Sequence, residues 1–379
     1  MLKRIVLDIN SSVPLISGTD YTGIGRTTLE LAHALATYAQ DLPFEIMLYS
    51  QNVKGVGVHQ LNTPFKKRHL YIPYRESFNN LLVKSPIKEW LTRYDIMHIP
   101  HNYEIVRQPE KCVVTLHDAL MKKSPEFHDP KTEAVFMPFI QKVNHIITCS
   151  SSSKKDIIET MNVEPPKISV IHWGFKHHVF FKQNKSKNDI KTIIKLKWKL
   201  ERDYFLTVSC NTQRKRTDKL VDAYIRLSRT EKLNHDLVLV WQTPPEWLVE
   251  KVKQAGLQER VHFLSNITDE NLALLYNGAT AMFFPSSYEG FGLPIIESMA
   301  CGCPVITCNN SSLGEVGEDA VIYLDEPVEK SLLEMFQVID QHKIELSPYI
   351  QKGLKRAKIF NWNKTAEQTI NIYKKSLNI

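Results

Sequence analysis

The sequence predicts an α/β protein made of two parallel-sheet domains, and three observations carry that expectation. At 379 residues the chain is long enough for two domains of typical size, each with its own core. Short apolar runs alternate with helical stretches from the amino end, and the same alternation starts afresh at Tyr204. Residues 285–306 read as a strand–loop–helix–strand unit, with an apolar run at 279–284 leading in and a buried strand at 304–307 leading out. Pro294 suits the first position of that helix, where its missing N–H is no loss, and Gly302 suits the stop.

Composition and charge narrow the class. The chain is 43% apolar and 23% charged, as in soluble globular proteins, and no apolar run reaches a membrane span. Residues 1–8 are basic, but their apolar run is too short for a signal peptide and reads as the first strand. A cytoplasmic location is therefore expected. Cys112, Cys149, Cys210, Cys301, Cys303 and Cys308 show no zinc-site spacing, so reduced, mostly buried thiols are expected. The net charge of +7 is uneven: between residues 182 and 199 seven lysines face only Asp189. Lys66, Lys67, Arg68, Arg75, Lys84, Lys88 and Arg93 form a second basic region. No nucleic-acid motif accompanies either. An acidic membrane surface at the inner face, or a phosphorylated acceptor, is then the partner implied, with a merely solvated charged face as the alternative.

Taken in order, residues 5–9 form the opening strand. Next come Tyr21, Thr22, Gly23, Ile24, Gly25 and Arg26, then a helix with apolar Leu29, Leu31, Ala32, Ala34, Leu35 and Ala36. Gly23 and Gly25 begin a dinucleotide fingerprint, but Thr28 stands at the third glycine position, which argues against an NAD site. Residues 44–49 are a second strand. The stretch 66–93 is the least regular of this half. Its Phe78, Leu81, Leu82, Ile87, Trp90 and Leu91 either rest on a membrane in amphipathic pieces or pack inward under a basic face, and Pro86 forbids one continuous helix. Residues 96–102 and 113–118 are strands whose carboxyl ends carry His98, His101, Asn102, His117 and Asp118, where α/β folds keep ligand groups. Residues 145–150 and 167–171 complete the first set, and a serine at 151–153 can cap the helix between them. The second set has strands at 204–209, 237–241 and 261–267, helices at 219–227 and 269–277, and a polar loop at 210–217. No Walker A sequence and no solenoid-length repeat occur.

The loop at 285–292 carries the chemistry. Gly290 and Gly292 let the backbone approach a ligand closely, and the helix start beyond them is a diphosphate seat. A carboxylate beside a diphosphate is repelled, so Glu289 and Glu297 more plausibly accept hydrogen bonds from neutral sugar hydroxyls. One diphosphate between two hydroxyl-bearing groups describes a sugar nucleotide. An ordinary βα turn with solvated glutamates is the plainer alternative.

These residues closely resemble the donor-site motif of the retaining glycosyltransferases of family 4, with its two glutamates separated by seven residues. Pro285, Ser286, Tyr288, Glu289, Gly290, Phe291, Gly292, Leu293, Pro294, Glu297, Ala300, Gly302, Pro304 and Val305 all fall where that family has them. The resemblance implies a GT-B fold: two Rossmann-like parallel-sheet domains facing an interdomain cleft. It implies that Glu289 faces the donor sugar, that Gly290, Phe291, Gly292 and Leu293 offer amides to sugar and phosphates, and that Glu297 holds the ribose. Gly23 and Gly25 resemble the family's amino-terminal glycine loop at the donor phosphate and acceptor. His117 falls at a family histidine close to the reacting centre. Arg214 and Lys215 match the family's two basic residues, the lysine contacting the donor diphosphate and offsetting leaving-group charge. Ser209, Gln213, Arg216 and Trp241 depart from the pattern and leave the base recognition open.

The implied domains are 1–180, a lysine-rich crossover at 181–200, and a donor domain at 201–362, with a last helix at 363–379 packing back on the first. The implied activity is metal-independent, retaining transfer of a sugar from a nucleotide-diphosphate sugar to a glycan or lipid-linked acceptor, without a cofactor. The combination of motifs looks most like mannosyl- or rhamnosyl-type enzymes of surface-polysaccharide assembly. A sugar-nucleotide epimerase of the same architecture, or a weakly catalytic sugar-nucleotide-binding partner, are the alternatives.

Overall fold

The computed structural model describes residues 2–16, 23–73, 85–101 and 105–379. Tyr21, Thr22, Arg75, Phe78, Leu81, Leu82, Lys84 and Asn102, singled out above, lie outside the described residues. The chain divides into two compact units, Met1–Gly174 with Asn361–Ile379, and Phe175–Phe360.

In the first unit the strands are β1 (Arg4–Asp8), β2 (Glu45–Gln51), β3 (Lys66–Leu70), β4 (Ile96–Ile99), β5 (Cys112–Thr115), β6 (His145–Thr148) and β7 (Ile168–Val170). All pairings among the described residues are parallel, in the order β3-β2-β1-β4-β5-β6-β7. β4, β5 and β6 are buried along their whole length, as strands covered by helices on both faces must be. The chain moves one way from β1 and then returns to the other side of it. The carboxyl ends of β1 and β4 therefore flank this sheet's switch point, where such sheets hold ligands.

β3 departs from the sequence reading, which placed no strand between 66 and 93. Its residues pair with β2 from Met47–Lys66 to Gln51–Leu70. The basic run hid it: an edge strand needs only one covered side, and lysines on the open edge discourage further pairing. The cap of the helix Ser151–Met161 comes from Ser150, just ahead of the serines expected to supply it: its side chain accepts the Ser153 N–H at 3.0 Å.

The last helix, Trp362–Leu377, belongs to this first unit. Its Tyr373 hydroxyl lies 2.6 Å from His98 Nδ1, and its Thr365 hydroxyl donates to the His172 carbonyl at 2.7 Å. Gly174 makes the approach close, since a Cβ there would collide with the Trp362 backbone. His98 is thereby a core residue, not a ligand group at a strand end. It is fully buried, and its Nε2 pairs with the Thr115 hydroxyl at 2.8 Å.

In the second unit β8 (Tyr204–Val208), β9 (Asp236–Val240), β10 (Val261–Leu264), β11 (Ala281–Phe284), β12 (Val305–Cys308) and β13 (Ile322–Leu324) form a parallel sheet in the order β10-β9-β8-β11-β12-β13. Phe205, Phe283 and Phe336 meet ring to ring in its core, with centroids 4.4 to 5.3 Å apart. The switch point lies between β8 and β11. The segment 181–200 belongs to this unit and holds the helix Lys187–Trp198, which buries Ile190 and Ile194 and leaves its lysines exposed. No disulfide forms among the six cysteines, all but Cys210 of which are buried.

Candidate active site

Two loops meet at the switch point of the second unit. The loop after β8 ends in a turn, Gln213–Lys215, and then Arg216, whose φ of 50° turns the chain into the helix Thr217–Thr230. The loop after β11 runs from Pro285 to Gly292 and enters the helix Leu293–Ala300 with proline in its first turn. Gly292 has φ 106°, a region that residues with a Cβ rarely adopt, so glycine is required at this turn.

The loops are laced together. The Ser287 N–H donates to the Arg214 carbonyl at 2.7 Å, and Arg214 Nη1 donates to the Tyr288 carbonyl at 2.9 Å. The Glu289 N–H donates to Ser311 Oγ at 3.0 Å, while the Ser312 hydroxyl reaches the carbonyls of Glu289 and Phe291 at 2.8 and 2.9 Å. Strand ends and the start of the helix Ser311–Gly317 thus hold the Glu289 backbone from two sides.

At the centre of this scaffold one carboxylate oxygen takes two cations. Glu289 Oε1 lies 2.6 Å from Arg214 Nη1 and 2.7 Å from Lys215 Nζ, and it accepts the Ser286 hydroxyl at 2.7 Å. All three charged side chains are largely buried. Lys215 also sits over the Phe284 ring, 4.4 Å from its centroid. Burial pushes the Glu289 carboxyl up, but the Lys215 and Arg214 cations outweigh it and hold the group down at about 2. The cluster is ionised at neutral pH with a cation in excess, which suits an arriving anion. Glu297 stands on the helix Leu293–Ala300 and is itself buried.

Three of the departures from the family pattern have local explanations. Trp241 is a core residue whose Nε1–H donates to Asn211 Oδ1 at 2.8 Å, bracing the β8 loop. Ser209 pairs its hydroxyl with that of Thr217, tying the same loop to the helix that follows. Arg216 is committed to Glu326 at 2.8 Å.

In the first unit the switch point gathers Asp8, His101 and His117. His117 Nε2 lies 3.1 Å from the Pro100 carbonyl, which can only accept, so Nε2 carries the proton and Nδ1 the lone pair. Burial lowers its pKa to about 4, with the Pro100 carbonyl raising it and His101 lowering it further, so the ring is neutral at pH 7. His101 Nε2 lies 3.8 Å from Asp8 Oδ1. Gly23 and Gly25 open the helix Gly23–Ala36, with the Ser12 hydroxyl donating to the Gly25 carbonyl at 2.8 Å. Among the described residues no group of three or more His, Cys, Asp or Glu side chains is placed to hold a metal ion.

The structure brings Arg214, Lys215 and Glu289 into contact. His117, Gly23 and Gly25 belong to the first unit. In the sequence Ser286 stands out only as part of a motif. The signal for Ser286 was its place three residues ahead of the glutamate.

Known proteins resemble this chain in sequence and in fold. Residues 188–336 match the family described as glycosyl transferases group 1, and residues 21–178 match glycosyltransferase family 4. The O-antigen chain mannosyltransferase B of Escherichia coli is 30% identical, across 93% of this chain and 96% of that protein. Sucrose-phosphate synthase from Thermosynechococcus elongatus has a similar structure, with a TM-score of 0.78 at 20% identity over 99% of each chain. HepE of Anabaena, solved in complex with UDP and glucose, gives 0.76 at 18% identity over 98% of this chain and 100% of that one.

Proposed function

The chain belongs to the group 1 glycosyltransferases, with their GT-B fold of two Rossmann-like sheets, and from that premise we propose the particulars of its reaction. It is a sugar transferase of glycan biosynthesis, not an epimerase of similar architecture. We assign it the transfer of mannose from a nucleotide-diphosphate donor to a glycan or lipid-linked acceptor in cell-surface polysaccharide assembly, with retention of configuration and without a metal ion. The likeness to the E. coli mannosyltransferase over nearly the whole of both chains supports the sugar. The UDP and glucose bound by the Anabaena structure support the donor class.

One observation carries the mechanism: Arg214 and Lys215 converge on a single oxygen of Glu289. A donor diphosphate is a stronger anion than that oxygen and would draw on the same two cations. As the bond from the anomeric carbon to the diphosphate oxygen breaks, the electron pair leaves with the diphosphate. Fixed cations stabilise that developing charge more than the ground state, and they cost no reorganisation at the moment of reaction. The start of the helix Leu293–Ala300 adds N–H groups and a positive dipole end. Together these supply the charge that a metal ion supplies elsewhere. The acceptor oxygen bonds to the anomeric carbon on the face the diphosphate leaves, and its proton passes to a departing phosphate oxygen. Glu289 accepts a hydroxyl of the donor sugar, and Glu297 the ribose hydroxyls. In the first unit, His117 offers a neutral imidazole to the substrate, and the glycine-led helix start at Gly23 and Gly25 offers backbone.

We further assign the lysines of 182–199 to a peripheral contact with an acidic membrane surface at its cytoplasmic face. The exposed lysines of the helix Lys187–Trp198, with Leu196 81% exposed among them, support this. Among the described residues no helix is long and apolar enough to cross a membrane.

A panel of UDP-, GDP-, dTDP- and ADP-sugars, scored for transfer and for the anomeric configuration of the product in EDTA, tests the reading. A GDP- or UDP-sugar should be used with retention. An inverted product, or a strict need for a divalent cation, would remove the corresponding part.

A further inference from the structure

We infer that Ser286 is a positioning residue for this reaction: its hydroxyl fixes which oxygen of Glu289 faces the cations and which faces the donor sugar. The inference rests on the transferase reading above and adds a residue to it.

Ser286 is fully buried just beyond β11, three residues before Glu289. Its Oγ lies 2.7 Å from Glu289 Oε1, 3.1 Å from the Arg214 carbonyl and 3.2 Å from the Tyr288 carbonyl. All three neighbours are acceptors, and a hydroxyl has one proton to give, so they compete for it. The carboxylate is both nearest and charged, and it takes the proton. Glu289 Oε1 then holds three donors: Arg214, Lys215 and Ser286. No described residue donates a hydrogen bond to Glu289 Oε2, and the side chain keeps 11% of its surface exposed.

The two oxygens of a free carboxylate are equivalent, and cations alone do not keep them apart once a diphosphate competes for those cations. Ser286 is different in kind. It is neutral, fully buried and attached to the same loop, so an arriving anion does not draw it away. It holds Oε1 inward while Arg214 and Lys215 turn to the diphosphate. Oε2 stays on the open side, where a sugar hydroxyl donates. Charge balance and sugar recognition are thereby divided between two atoms of one side chain.

A double-mutant cycle on transfer tests this, with Ser286→Ala, Ser286→Thr and Glu289→Gln measured singly and Ser286→Ala combined with Glu289→Gln. Ser286→Ala should lower kcat/KM about tenfold, the size expected for losing a hydrogen bond to a charged group, and Ser286→Thr should restore most of it. Nucleoside diphosphate affinity, which needs the cations but not Oε2, should change by less than about threefold. In the Glu289→Gln background the Ser286→Ala loss should shrink below about twofold, because glutamine has no charged oxygen and no pair of equivalent oxygens for Ser286 to tell apart. A tenfold loss repeated in that background overturns the inference, as does an equal loss of nucleoside diphosphate binding. If Ser286→Ala does not fold, Ser286→Cys replaces it with a weaker donor of similar size. Wild-type protein that binds nucleoside diphosphates but transfers no sugar would overturn the transferase reading itself, and this inference with it.

Discussion

Glu289 is a buried carboxylate kept ionised by two cations, and its substitution should show in both stability and turnover. A carboxyl whose folded pKa is about 2, against an ordinary 4.5, stabilises the fold above pH 4.5 and loses that contribution as pH falls toward 2. Glu289→Gln should therefore flatten the stability curve across that window, as urea titrations at stepped pH would show. Because it leaves two buried cations without their anion, the variant should also be less stable at pH 7, by about 3–5 kcal/mol. Equal stability at pH 7 would mean that the three charges are not coupled. The residues of this cluster were legible in the sequence because their chemistry is: glycines, a basic pair and a glutamate at a helix start. The role of Ser286 was not, since a buried hydroxyl's choice among three acceptors depends on distances that only the fold sets. His98 and His117 show the same limit. Both lie at or near the carboxyl end of an apolar run, but His98 is claimed by Tyr373, far along the chain, and His117 by a carbonyl of the neighbouring strand end.

Elements with a clean period were legible too: buried parallel strands, the serine-capped helix and the glycine turn. The basic edge strand β3 was not, because half of its residues meet solvent and its propensity is overridden by pairing with β2. The segment 181–200 read as a crossover because seven lysines crowd it. Two isoleucines one turn apart, Ile190 and Ile194, are all that the helix there buries fully. Ser150→Ala removes the cap of the helix Ser151–Met161 and should cost about 1 kcal/mol in urea unfolding. Gly292→Ala combines a left-handed φ with a Cβ 3.1 Å from Leu313, and should cost about 1–2 kcal/mol while slowing transfer. A Gly292→Ala protein as active as wild type would show that the turn need not be held in this shape.

The whole molecule repeats one plan, a parallel sheet with a switch point, in two units that each have their own hydrophobic core. That repetition was visible in the sequence, where the same alternation starts afresh at Tyr204. The units should respond differently to acid. In the first, burial lowers His98 to about 3, His117 to about 4 and His145 to about 4 from an ordinary 6.5. Below pH 6.5 the unfolded chain takes up those protons and the folded unit does not, so its stability falls from pH 6.5 to about 4. In the second unit the groups that lose stabilisation are carboxylates with lowered pKa, the buried Glu289 and Asp236 among them. For Asp236 burial acts upward, but His262 and Arg260 outweigh it. Those losses begin only as pH falls below the ordinary carboxylate range. Hydrogen exchange at pH 5 should thus show the first unit loosened and the second intact; the reverse order would contradict these shifts.

The central claim is that Lys215 and Arg214 carry the charge of a departing diphosphate. Single-turnover transfer of labelled mannose from its nucleotide-diphosphate donor, in EDTA, by wild type and by Lys215→Ala tests it most directly. The account predicts that wild type transfers and that Lys215→Ala is slower by about 10²–10³ with an unchanged circular dichroism spectrum. Transfer by a folded Lys215→Ala protein at near the wild-type rate would contradict it.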